Sequence, residues 1–179
     1  MTSRAFNRHF AWQMTGPQAA AAAAVLAGAA ATGGPVDAVI AIARGGTQPA
    51  RDIAAALGAP VRTVRASHNP TDAMYAEATG RVWCDAAGAG PLRGRVLVVD
   101  DICGTGATLA AVTSALARVA APGAALVTAT LCRNAGSPCR PDLTVWDDLR
   151  EWVIFPWEAG PPDGLPARCL PDPGQAFTA

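Results

Sequence analysis

One stretch constrains this chain more than any other: Val96-Leu97-Val98-Val99-Asp100-Asp101-Ile102-Cys103-Gly104-Thr105-Gly106-Ala107-Thr108-Leu109. From Arg95 to Val99 it is an aliphatic, mostly β-branched run, suited to a strand buried on both faces. Two adjacent carboxylates stand where that strand ends. A turn of small residues follows, and then a helix-forming segment from about Ala107 to Ala120. A strand feeding a Gly-rich turn and a helix is half of a βαβ unit, so the chain builds a sheet with helices on its faces.

The turn has chemistry of its own. Its backbone N–H groups and the hydroxyls of Thr105 and Thr108 converge at a helix N-terminus, where the helix dipole favours an anion such as phosphate. Asp100 and Asp101 repel phosphate, so they suit sugar hydroxyls or a divalent metal that arrives bound to phosphate. Gly-Thr-Gly alone would be an ordinary turn, and it lacks the Lys of a P-loop. The full string is much more specific.

The rest of the chain supplies the other units. Residues 17–31 predict a helix that starts at Pro17 and ends at the Gly33-Gly34-Pro35 break. Residues 37–43 predict a buried strand and 61–65 the next strand, separated by the Arg44-Gly45-Gly46 turn and a helix from Pro49 to Leu57 closed by Gly58. From Ala66 to about Gly94 periodicity dissolves, apart from a short strand at 81–84, as in a functional lid. Residues 124–131 form a last strand. The alternation predicts an α/β fold with a mainly parallel sheet.

Composition excludes several classes. Fourteen basic residues, all Arg, balance 14 acidic ones, so no basic excess points to nucleic acid. The Ala19–Ala31 stretch is too short and too Ala-rich to span a membrane, and no apolar signal core opens the chain. Five cysteines form no CxxC pair, which argues against zinc or a disulfide framework and for a reducing cytoplasm.

The 96–109 string resembles the phosphoribosyl pyrophosphate (PRPP) motif of type I phosphoribosyltransferases. The resemblance implies that Asp100 and Asp101 hold the ribose 2′- and 3′-hydroxyls and that Gly104, Thr105, Gly106, Ala107 and Thr108 take the 5′-phosphate. Arg44 and Gly45, after the 37–43 strand, resemble the family's pyrophosphate loop, which often carries a non-proline cis peptide; Gly45 suits that geometry. The stretch Glu151-Trp152-Val153-Ile154-Phe155-Pro156-Trp157-Glu158 resembles the hood of bacterial xanthine–guanine and related 6-oxopurine enzymes. There Trp152 would stack on the base and Glu158 would sit at its edge. Arg133, in Cys132-Arg133-Asn134, takes the place of a Lys that meets the purine 6-oxo group, and residues 10–14 resemble the N-terminal hood. The implied layout is one domain, 1–179, with a core over 17–131, a hood from 1–16 and 132–160, and a Pro-rich tail over 161–179.

The implied reaction is transfer of ribose 5-phosphate from PRPP to a purine-like base with release of pyrophosphate. Asp100, Asp101 and Arg44 form its catalytic core, with Mg²⁺ met by Asp100 and Asp101, in a dimer or tetramer. Two departures stand out. Gly104 replaces an acid that 6-oxopurine members place at purine N7, and no Lys is available near the pyrophosphate, leaving Arg65 or Arg81. His68 lies in the lid. The departures keep two alternatives open: a PRPP- or nucleotide-sensing regulator, and a transferase for an unusual heterocycle.

Overall fold

The computed structural model describes residues 7, 9–67, 82–158 and 164–177. His68 and Arg81 lie outside them. In chain order the elements are β1 (Ala11–Gln13), α1 (Gly16–Thr32), β2 (Ala38–Ala43), α2 (Thr47–Leu57), β3 (Val61–Ser67), β4 (Trp83–Asp85), a 3₁₀ turn (Ala87–Ala89), β5 (Arg95–Cys103), α3 (Ala107–Ala117), β6 (Ala125–Asn134), β7 (Leu143–Leu149), β8 (Trp152–Ile154), β9 (Ala167–Cys169) and α4 (Pro173–Ala176).

The main sheet has six strands in the order β4-β3-β2-β5-β6-β7. All neighbours pair in parallel except β4, which lies antiparallel to β3 at one edge. β2 and β5 are almost wholly buried because helices cover both faces, which explains their unbroken aliphatic runs. On one face α1 and α2 pack Ala22, Ala23, Leu26 and Ile53 onto Val39, Leu97 and Val99. On the other, Leu109, Val112 and Leu116 of α3 pack onto Ile40, Val96 and Val98. Such burial contributes about 1.5–3 kcal/mol for each large aliphatic side chain.

Local signals set the boundaries. Thr15 caps α1 in a reciprocal box with Gln18, and Pro17 occupies its first turn. α2 begins two residues earlier than the sequence predicts, at Thr47, and Gly58 ends it in the left-handed conformation (φ +64°). No helix among the described residues is long and apolar enough to cross a membrane.

Strands β1, β8 and β9 form a second, all-parallel sheet in the order β8-β1-β9. It joins the start of the chain to its last third. Two boundaries differ from the sequence reading. β7, within the stretch assigned to a hood, is the sixth strand of the main sheet; Asp142 fixes its start by accepting from the N–H and hydroxyl of Thr128 on β6. The Pro-rich tail supplies β9 and α4 rather than a featureless end. It is held by Gln18 Nε2 donating to the Leu170 carbonyl (2.7 Å) and Trp146 Nε1 to that of Pro171 (3.1 Å). Three-residue strands carry too little periodicity to show in a sequence.

Candidate active site

After β2 the chain crosses to β3 on one side, while β5 lies on β2's other side and leads to β6 and β7. Strand order therefore reverses between β2 and β5. In open α/β sheets the crevice beyond the carboxyl ends of such a pair is where ligands bind. The 44–46 turn follows β2, and Asp100 and Asp101 stand near the end of β5.

Two glycines allow these segments to meet. A Cβ at Gly46 would strike the carbonyls of Val99 and Ile42 and the Cα of Asp100. A Cβ at Gly45 would occupy the place of the Asp101 carboxylate. The Gly46 N–H donates to Ile42 O (2.9 Å), closing the turn. The cis peptide bond is Ala43–Arg44, one residue before the position at Gly45 that the resemblance suggested. Arg44 is exposed at the tip of this turn.

The two acids look into different surroundings. Asp100 shares a pocket with Cys103, Gly104, Thr105, Gly106, Thr108 and Thr130. Its carboxylate accepts from the Asp101 N–H (3.0 Å) and from the Gly46 backbone. Burial and then the neighbouring Asp101 charge push its pKa well above the ordinary carboxylate range. Asp101, 9% exposed, accepts from the Ile102 N–H (2.7 Å) and from the Trp157 indole. Burial, followed by the charge of Glu158, raises its pKa to about 6.

The 104–106 turn enters α3 through Gly106 at φ +81°, a conformation costly for other residues. The N-cap residue Gly106 has no side chain to cap α3, and Gly104, Thr105, Gly106 and Thr108 line the pocket at its start. The Ala107 N–H has only a long contact, 3.4 Å, to Thr105 Oγ1. Backbone N–H groups at a dipole's positive end, in a turn of small residues, can cradle a phosphate. Among the described residues no group of three or more His, Cys, Asp or Glu forms a metal site. Asp100 and Asp101 fit Mg²⁺ in its other common setting, one or two carboxylates completed by substrate phosphates.

The remaining residues divide. Trp152 is half-buried in β8, opposite Ala11 of β1. Trp157, which sequence reasoning kept within the motif but gave no role, is the aromatic that reaches Asp101; its ring stacks on Phe155 at 5.3 Å. Glu158 accepts from the Phe155 N–H (3.1 Å), which bends the segment back over Asp101, and its own pKa is raised by burial. Arg133 departs from expectation. It is 5% exposed, its Nε is paired with Asp147, and its Nη1 donates to the Ser137 carbonyl (2.9 Å). A guanidinium committed in this way holds β7 and the 134–139 turn. Arg65 is exposed near the end of β3, across from Asp85 of β4.

Residues 15–163 match the phosphoribosyl transferase domain family. The fold is similar to that of a purine phosphoribosyltransferase from Pyrococcus horikoshii (27% identity, TM-score 0.71, covering 84% of this chain and 96% of that one). It is also similar to a hypothetical protein from Neisseria gonorrhoeae with bound ppGpp (24% identity, TM-score 0.61, 86% and 92%). A third similar structure is the xanthine-guanine-hypoxanthine phosphoribosyltransferase of Helicobacter pylori (19% identity, TM-score 0.63, 83% and 93%). No curated protein matches the chain. The family match runs through both strand ends and the turn that meet at the switch point, and the chain belongs to the type I phosphoribosyltransferase family of PRPP-dependent transferases.

Proposed function

We propose that this protein transfers ribose 5-phosphate from PRPP to a ring nitrogen of a purine-like base, a 6-oxopurine or an analogue, and releases pyrophosphate. The observation that carries the reading is the juxtaposition of Asp100 with the uncapped Gly104–Thr108 turn in one pocket. That turn takes the 5′-phosphate on its N–H groups, while Asp100 and Asp101 accept hydrogen bonds from the ribose hydroxyls. Breaking the anomeric C–O bond builds positive charge on the sugar, and two buried carboxylates beside it favour that charge more than water would. Arg44 and the Gly45 backbone face the departing pyrophosphate. Mg²⁺, when bound with PRPP against Asp100 and Asp101, neutralises pyrophosphate charge.

On the acceptor side, the resemblance assigns Trp152 to the face of the base and Glu158 to its edge. The Trp157 contact adds a link, since the segment that offers Glu158 also donates a hydrogen bond to Asp101. Closure over the base and alignment of the ribose acid are thereby mechanically connected. The reading extends to a cytoplasmic homo-oligomer.

Gly104 favours a second reading, in which the acceptor is an unusual heterocycle. With no side chain there, the protein offers no group at that position to receive a proton from purine N7.

Incubation with PRPP, Mg²⁺ and a panel of nucleobases and analogues, with product masses and pyrophosphate measured, tests both. Nucleotide from guanine, xanthine or hypoxanthine supports the first reading; product only from a non-standard heterocycle supports the second. The Asp100→Asn/Asp101→Asn double variant should lose about 100-fold or more in turnover. Unchanged turnover, or no product with any base, overturns the assignment.

A further inference from the structure

Two of the five cysteines meet directly behind the phosphate turn. Cys103 is the last residue of β5, 2% exposed, immediately before Gly104. Cys139 lies in the loop between β6 and β7 and is half-buried. The Cys139 side chain stands beside the Cys103 thiol and, after burial, helps to raise its pKa above the ordinary thiol value. Cys103 Sγ also contacts Ser137 Oγ at 3.3 Å and the Cys139 carbonyl at 3.8 Å. On its other side Cys139 supports the turn: a Cβ at Gly106 would collide with Cys139 Cβ and lie 3.1 Å from its Sγ. The remaining thiols are elsewhere. Cys132 is sealed in the opposite core, Cys84 is on the edge strand β4, and Cys169 is on β9.

We propose that Cys103 and Cys139 form a reversible disulfide beneath the phosphate turn, and that this bond weakens PRPP binding. The consequence for PRPP rests on the reading of the turn given above; the disulfide itself does not. Hydrogen peroxide is the oxidant. It reaches Cys139, the solvent-accessible member, first. The Cys139 thiolate attacks one peroxide oxygen, the O–O bond breaks, hydroxide leaves, and Cys139 becomes a sulfenic acid. The Cys103 sulfur then attacks the Cys139 sulfur and the S–OH bond breaks. The departing hydroxide takes the Cys103 proton and leaves as water. The two thiols lose two electrons in total, and the peroxide ends as two waters. A small-molecule thiol reverses the bond by exchange.

The geometric consequence follows from bond lengths. Non-bonded heavy atoms in contact stand about 3.5–4.0 Å apart, whereas a disulfide requires about 2.05 Å. Covalent closure therefore draws the two cysteines together by roughly 1–2 Å. One of them is bonded to the first residue of the turn, and the other packs against Gly106. A turn whose function depends on converging N–H groups does not tolerate a shift of that size.

The test treats the whole protein with peroxide and reads two quantities. Tryptic digestion separates Cys103 (peptide 96–118) from Cys139 (peptide 134–150) and from Cys132 (peptide 119–133). The expected result is a joined pair of peptides 96–118 and 134–150, two hydrogens lighter than their sum. With it comes a PRPP affinity about tenfold or more weaker, restored by dithiothreitol. Cys139→Ser and Cys139→Ala should each keep, under the same peroxide, the PRPP affinity that they show untreated. Recovery of the two peptides unjoined, as thiols or sulfinic acids, overturns the proposal. So does a joined pair with unchanged PRPP affinity. If the fully reduced protein binds no PRPP, the functional reading fails, while the peptide map still decides the disulfide.

Discussion

The 104–106 turn and the aromatic segment after β8 meet at the same pair of carboxylates, yet they are built by different means. The turn is contiguous backbone: the end of β5, three small residues and the first turn of α3, anchored by the burial of Val96, Val98, Leu109 and Val112. The aromatic segment is made of side chains on a small sheet whose three strands come from residues 11–13, 152–154 and 167–169. Val153, Phe155 and Leu170 bury in the core it shares with α1 and the main sheet, but it reaches the carboxylates through one side-chain contact, Trp157 to Asp101. The lesson concerns tolerance. A site made of backbone fails when a Cβ or a bond enters it, whereas a site made of side chains weakens by degrees.

Four changes probe this contrast, in decreasing order of effect. Gly45→Ala inserts a methyl where the Asp101 carboxylate lies, and it should cost about 100-fold in kcat/KM for PRPP with little change in Tm. A wild-type rate would show that Asp101 has freedom the backbone does not deny it. Arg133→Gln removes a buried guanidinium from Asp147 and Ser137. It should lower unfolding stability by about 2–3 kcal/mol in denaturant titrations, less than a fully buried pair because Asp147 is 43% exposed. Base preference should not move; altered preference at unchanged stability would return Arg133 to base recognition.

The third concerns pH. Folding raises the Asp101 pKa from 3.8 to about 6, so the native state binds more protons than the unfolded chain between those values. Stability of the metal-free protein should therefore fall as pH rises from about 4 to 6, and Asp101→Asn should flatten that slope. The raised Asp100 value acts in the same direction. Stability that increases with pH across this window in the wild type, with no difference in the variant, would contradict the buried acid pair. The smallest effect is expected from Trp157→Phe, which keeps the ring on Phe155 and removes the indole N–H. It should raise the KM for PRPP by about threefold, the scale of one hydrogen bond to a charged group shared with water. An effect as large as that of Gly45→Ala would make the aromatic segment as unforgiving as the turn.

The same contrast explains what could be read in the sequence. The β5–turn–α3 unit is legible because burial, turn and helix start lie in one unbroken string, and each constrains the next. The strands β2, β3, β5 and β6 were placed for the same reason. β7 escaped because only Val145 and Trp146 of it are buried and its exposed Asp147-Asp148 step breaks the apolar run. β9 has only three residues, all exposed. Within the site, the pairing of Gly45 with Asp101 joins positions 56 residues apart, and nothing local announces it. Trp157 stood in plain view as one of two Trp residues in the motif; which of them reaches Asp101 depends on the bend that Glu158 imposes on Phe155. The pairing of Arg133 is not legible because its partner Asp147 belongs to the strand the sequence does not reveal.

If one pocket holds both ends of the sugar phosphate, a crystal structure with PRPP and Mg²⁺ will show the 5′-phosphate on the N–H groups of residues 104–108 and the ribose hydroxyls within hydrogen-bond distance of Asp100 and Asp101. A sugar phosphate bound elsewhere, with the 104–108 turn closed by its own side chains, would contradict that placement.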